Sequence, residues 1–297
     1  MPYMDSAGVR LYYEETGSGD PVVWIHEFAA DYRTWELQVR RFSRDYRCVT
    51  YNARGYPPSG VPDQSTDYGY ERHRDDVIRL MDHLGIDRAH LVGLSMGAYA
   101  GLQVAMTYPS RVRSLVFSSG GSGAYVGGRE RFVQESGRSA DAIMRVGMEA
   151  AADSLTLGPA RVQLRNKDVR GWLEMRGYLK EHSAVGSALT LKNYQALRPS
   201  IYDYEAQLGQ MDLPVLLVVG DEDDAVIEAN VFLKRALPRA GMLMLPKTGH
   251  SVNLEEPDEY NRHLADFLAA VERGAWHRRD PAADPARPSL VDDDTLT

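Results

Sequence analysis

A serine hydroxyl attacks a carbonyl usefully only when a neighbouring base takes its proton, and residues 88–109 hold a serine prepared for that task. Gly93-Leu94-Ser95-Met96-Gly97 is a G-x-S-x-G pentapeptide between an apolar run and a helical pattern. That strand–turn–helix context is what a nucleophile of this kind requires. The turn is tight enough to strain the serine backbone, so the residues two before and two after it must be small, and both are glycine. Ala98, Ala100 and Gly101 then let the helix lie close to a sheet. Ser95 would stand at the helix N-terminus, where backbone N–H groups and the helix dipole favour negative charge. The base of choice is His250, in "LPKTGHSVNLEEP", behind a strand pattern and a glycine-containing loop. His73, His83 and His263 fall on helical patterns, His90 in a strand, and His182 and His277 in less suitable segments. A carboxylate to orient the base should follow a strand between the two, and Asp221, Glu222, Asp223 and Asp224 all follow "PVLLVVG". Spacing does not choose among them. The chemistry these residues suit is acyl transfer to water, with serine as nucleophile and histidine as proton carrier.

The elements that must hold these groups can be read from the apolar runs. Residues 22–25, 48–51, 90–92, 114–117, 215–219 and 242–245 read as strands, several apolar on both faces. Residues 35–42, 72–84 and 98–106 show helical spacing, with Gly85 as a C-cap and Pro109 as a stop. Alternation of this kind predicts an α/β fold with a mainly parallel sheet flanked by helices. It is interrupted over residues 121–204, where helical patterns at 140–151, 169–181 and 188–197 replace strands. We therefore expect a core of residues 1–120 and 205–274, a helical cap of 121–204, and a Pro- and Asp-rich flexible tail of 275–297. Trp172 and Tyr178 are candidate pocket residues; alternatively they, with Tyr194 and Met175, fill the insertion's own small core, the reading favoured for any one of them.

Composition narrows the partners. A net charge of −8 and the lack of a basic run argue against nucleic acid or an anionic membrane. The single cysteine, Cys48, permits no intramolecular disulfide and no cysteine metal site, and it sits in a buried strand pattern. No basic start precedes an apolar run at the N-terminus, and no apolar stretch nears the ~20 residues a membrane span needs, so the expected location is cytoplasmic. The expected partner is a small molecule, with neither cofactor nor metal, and a homodimer is left open.

Taken together, these segments resemble the α/β-hydrolase superfamily, in its capped branch of small esterases, lactonases and C–C bond hydrolases. The resemblance covers roughly residues 8–120 and 205–272. It rests on the serine turn, on Gly249, His250, Glu255, Glu256 and Pro257 as the family's "GHxxxxEEP" ending, and on His26, Phe28 and Trp35 as its "HGF…W" pattern. Asn52-Ala53-Arg54-Gly55 matches its "D-x-R-G" segment with Asn in place of Asp. The resemblance implies Asp223 as the orienting acid, and the N–H groups of Phe28 and Met96 as the oxyanion hole. It further implies a serine hydrolase of small esters or lactones working through an acyl-enzyme. A C–C bond hydrolase, a cofactor-free perhydrolase or a ligand-perceiving binding protein on the same fold are the alternatives. A serine at residue 95 departs from relatives that use aspartate there, and Ala98 and the sequence His26-Glu27-Phe28-Ala29-Ala30 depart from the C–C hydrolases' glycine-rich turns.

Glu27 occupies the position where that pattern has glycine. A carboxylate aimed at a forming oxyanion would oppose the reaction. The expectation is therefore that its side chain turns away from the pocket and pairs with a cation such as Arg54. Lining the pocket, or assisting the water that completes turnover, are the other readings.

Overall fold

Residues 89–94 and 215–220 are buried along their whole length, as strands covered on both faces must be. They are the interior strands β5 (Ala89–Leu94) and β7 (Val215–Gly220) of the computed structural model, which describes residues 2–283. Around them lie β1 (Tyr3–Ser6), β2 (Val9–Thr16), β3 (Pro21–Ile25), β4 (Arg47–Tyr51), β6 (Val112–Ser118) and β8 (Ala240–Leu245). The eight strands form one sheet in the order β1-β2-β4-β3-β5-β6-β7-β8. From β4 to β8 neighbours run parallel, while β1 and β2 are antiparallel to their neighbours.

Side chains alternate between two cores. Val23, Ile25, Leu91, Leu115 and Leu217 face one side, under helices α2 (Tyr70–His83) and α3 (Met96–Thr107). Val22, Trp24, Val92, Val116 and Val218 face the other, under α1 (Glu36–Phe42) and a C-terminal helix over Pro257–Glu272. Between β6 and β7 come α4 (Arg129–Thr156), α5 (Val162–Lys167), α6 (Val169–Lys180), α7 (Ala184–Thr190), a π-helical turn (Leu191–Gln195) and α8 (Glu205–Gln210). Ile143, Met148, Ala152, Leu179 and Leu191 from this insertion pack together with Ala29 of the core. After β7 follow α9 (Asp224–Ala236), α10 (Val252–Glu255) and α11, the Pro257–Glu272 helix. No helix among the described residues is long and apolar enough to cross a membrane.

Three differences from the sequence reading have physical reasons. The β1–β2 hairpin carries the sheet's edge, and only part of each strand is buried, so it lacks the apolar run that reveals a central strand. Tyr194 belongs to the core beneath α3 rather than to the insertion's own cluster, and its ring stacks 4.6 Å from His73. The tail is anchored where it begins: Trp276 meets Phe267 edge-on at 4.7 Å and donates its indole N–H to the Arg239 carbonyl at 2.7 Å. The expectation for the rest of that tail, from residue 284, lies outside the described residues.

Candidate active site

The register of the sheet brings the site together. Ile25 pairs with Gly93 at the ends of β3 and β5, so the His26–Phe28 turn emerges beside Ser95. Ser95 has φ 53° and ψ −107°, a left-handed strained backbone at the joint between β5 and α3. Its N–H donates to the Ser118 carbonyl at 2.7 Å. The flanking glycines are required: a Cβ on Gly97 would overlap the Ile25 carbonyl, and one on Gly93 would overlap the Gly97 carbonyl. One turn into the π-helical segment of the insertion, Tyr194 donates its hydroxyl to the Met96 carbonyl at 2.8 Å.

His250 sits in the loop after β8. Its backbone is pinned on both sides, because Gly249 N–H and Ser251 N–H donate to the Glu255 carboxylate at 2.7 and 3.2 Å. Its own N–H donates to Ala160 of the insertion at 2.6 Å. The ring's Nδ1 lies 2.6 Å from Asp223 Oδ2, and both side chains are buried. The other acids of that cluster have different work. Asp221 accepts the Thr248 N–H at 3.2 Å, Glu222 meets Gln163 and Lys247, and Asp224 is exposed at the start of α9. Ser95, Asp223 and His250 line one cleft of about 170 Å³, together with Phe28, Arg161 and Gln195. Ser95 makes no hydrogen bond to the ring among the described residues.

The turn after β3 is set by His26. Its Nε2 accepts the Ala53 N–H at 3.0 Å, so Nδ1 carries the proton and donates to the Glu27 carbonyl at 2.7 Å. Burial pulls the His26 ring down to about 4, which keeps it neutral and able to play both parts. Because the peptide is trans, holding the Glu27 carbonyl turns the Phe28 N–H the opposite way.

Glu27 pairs with a cation and is not among the residues lining the Ser95 cleft, but the cation is Arg161 and not the Arg54 named as an example. Glu27 is 1% exposed, and Oε2 lies 3.5 Å from His250 Nε2. The same carboxylate takes a charged hydrogen bond from Arg161 and one from the Ser251 hydroxyl at 3.4 Å. Burial pushes its pKa up; Arg161 and then His250 outweigh that and hold it below the ordinary carboxylate value. Arg54 is committed elsewhere, in a buried two-point pair with Asp76 at 2.6 and 2.7 Å. Arg161 is the residue that the sequence reading missed. The one available signal was that a buried carboxylate needs a cation, and chain position does not identify which.

Trp172 and Tyr178, the other pocket candidates, are not in this cleft. Tyr178 stacks under Arg33 at 4.0 Å and lines a separate cavity of about 440 Å³ with Met175. The Arg165 and Arg176 guanidinium groups lie over the Trp172 ring, 5.6 and 5.7 Å from its centroid. Helix α6 directs both rings toward arginines that the amphipathic rings can cover.

Comparison with known proteins agrees with this architecture. The model of a family described as alpha/beta hydrolase fold matches residues 20–257. The chain is 31% identical over 281 residues to the dihydrolipoyllysine-residue acetyltransferase component of the acetoin cleaving system of Pseudomonas putida, covering 90% of this chain and 69% of that protein. It is 26% identical to 2-hydroxy-6-oxononadienedioate/2-hydroxy-6-oxononatrienedioate hydrolase 1 of Dechloromonas aromatica, over 88% of this chain and 91% of the other. Among solved structures, the enol-lactonase from Burkholderia xenovorans LB400 superposes with a TM-score of 0.79 at 25% identity, over 90% of this chain and all of that one.

Proposed function

The chain belongs to the α/β-hydrolase fold family, and from that premise we propose that it is a serine hydrolase cleaving a small ester or lactone through an acyl-enzyme on Ser95. One observation carries the reading: a strained serine at the strand–helix joint shares a cleft with a histidine whose Nδ1 is held 2.6 Å from a buried aspartate. Ser95 Oγ attacks the carbonyl while His250 Nε2 takes its proton and passes it to the leaving oxygen. Asp223 keeps the ring in the tautomer with the proton on Nδ1 and stabilises the imidazolium. Water then attacks the acyl group, His250 takes its proton, and the acid leaves as Ser95 Oγ is reprotonated. The oxyanion is assigned to the N–H groups of Phe28 and Met96, each of a kind worth about 3 kcal/mol of barrier. The small cleft favours a compact acyl group, and the likeness to an enol-lactonase supports including lactones.

A fluorophosphonate probe tests the reading, followed by a screen of esters and lactones of graded size. Rapid stoichiometric labelling, lost in Ser95→Ala, is the expected result. No labelling together with no cleavage of any activated short-chain ester would overturn it and leave a binding role on the same fold.

A further inference from the structure

The Ser95 cleft does not end at its own walls. Phe132 of α4 and Ala225 of α9 line it, and both also line a second cavity of about 420 Å³ beside it. Ser122 and Gly123, adjacent in the chain, lie one on each side of the same boundary. The cleft of about 170 Å³ and this outer groove are therefore contiguous. The cavity of about 440 Å³ at Tyr178 shares no lining residue with either.

Phe132 is held firmly at the junction. A Cβ built on Gly123, at φ 72°, would meet the Phe132 ring at 2.2 Å, so a glycine is what lets the ring lie there. The guanidinium groups of Arg129 and Arg198 stand 5.9 and 5.7 Å from the ring centroid. Each is tied to the backbone in turn, Arg129 to the Ala196 carbonyl at 2.9 Å and Arg198 to the Ser122 carbonyl at 2.7 Å. The ring is a fixed wall common to both cavities. Which half of an ester lies beyond it follows from where the proton must go. His250 hands its proton to the leaving oxygen, so the alcohol portion lies on the histidine's side. The groove opens from that side, because Ala225 comes two residues after Asp223, the partner of His250 Nδ1. Leu191 and Gln195, from the π-helical turn, line the cleft and not the groove, and the compact acyl group stays with them.

We propose that the outer groove is an alcohol-binding subsite, and that the substrate is an ester of a compact acid with an extended, uncharged and mainly apolar alcohol. The inference rests on the serine-hydrolase reading and adds the substrate class to it. Tyr125, Phe132, Ala225 and Ala229 supply the apolar surface of the groove. Its charges disfavour an anionic alcohol. Arg131 is taken by Glu135 at 2.7 Å, while Asp224 and Glu228, one turn apart on α9, have no ion-pair partner among the described residues. A negatively charged alcohol would meet both of those carboxylates.

Straight-chain alkyl acetates isolate the subsite, because their alcohols are nearly equal leaving groups, differ mainly in apolar length, and leave the same acetyl-enzyme. The readout is kcat/KM for hexyl acetate divided by that for ethyl acetate, taken within each protein. In the wild type the added methylenes should raise it to about tenfold or more, through KM rather than kcat. Tyr125→Ser strips the outer wall of the groove at an exposed position, and Ala225→Trp fills the junction. Each should cut the ratio several-fold. Equal rates on the two acetates in the wild type, or a ratio that either folded variant preserves, overturn the inference and leave a labelled Ser95 and its mechanism intact. A length preference that appears instead along methyl esters of lengthening acids also overturns it, since the groove would then hold the acyl chain. Should Ala225→Trp fail to fold, Tyr125→Ser decides alone. A wild type that fluorophosphonate never labels at Ser95 and that cleaves no ester removes the serine-hydrolase reading, and this inference with it.

Discussion

Asp223 and Asp221 are two residues apart in the chain, yet only Asp223 reaches His250; Asp221 spends its Oδ1 on the Thr248 N–H. This separates their mutants sharply. Under the proposed serine mechanism, Asp223→Asn presents an amide to Nδ1 and favours the wrong tautomer, so kcat on an activated ester should fall by about 10⁴. Asp221→Asn should stay within a few-fold of wild type. A fall of similar size in both variants would show that the whole loop, and not one carboxylate, orients the base. Ser95 and His250 were legible in the sequence because the features that mark them are local: glycines two residues away, a strand before, a helix or loop after. Spacing alone left the acid ambiguous because four carboxylates follow one strand; the family resemblance pointed to Asp223, and the fold brings that residue to the ring. The cation that pairs with Glu27 was not legible for a related reason. It lies 134 residues further on, and nothing near Glu27 in the chain distinguishes Arg161 from Arg54.

Among the elements, strands buried on both faces were the readable ones, since a run such as "VLLVVG" has few other uses in a protein of this class. The edge hairpin β1–β2 escaped because burial there alternates with exposure. The insertion was legible as helical but not in its breaks. Helix α4 runs from Arg129 to Thr156 with Gly147 at φ 77° and ψ 167°, a conformation essentially reserved for glycine. The break lets Ile143 on one side and Met148 on the other share the insertion's core with Leu179. Nothing lies within 4 Å of a Cβ built on Gly147, so the substitution meets no steric barrier. Gly147→Ala should therefore cost stability through backbone strain alone, about 1–3 kcal/mol. Denaturant unfolding measures that cost, and equal stability of the two proteins would mean the helix straightens at no penalty.

At the scale of the whole molecule, neutral histidines are buried at both ends of the sheet. His26 follows the C-terminal end of β3, and His90 lies near the start of β5 with its Nδ1 2.7 Å from the Ser114 hydroxyl. Burial lowers both to about 4 from an ordinary value of 6.5, and it takes His73, packed in α2, well below that value. The sign follows from proton counting. Between pH 6.5 and about 4 these histidines bind protons in the unfolded chain but not in the folded one, so the unfolded state gains as pH falls. Their contribution is fully present above the unfolded value and is lost progressively toward about 4. Below that range the depressed carboxylates take over: Glu27 and Asp31, held down against burial chiefly by Arg161 and by His182 and Arg33 respectively, lose their contribution as they protonate. Acid should thus weaken the scaffold through its buried histidines before it neutralises Glu27 and Asp31. His90→Gln isolates one member of the set, far from Ser95 along β5. The variant's Tm should fall less than the wild type's as pH is lowered from 6.5 to 4, whatever its Tm at neutral pH. Parallel Tm curves over that interval would show that His90 titrates normally in the folded protein, and that its burial carries no proton-linked cost.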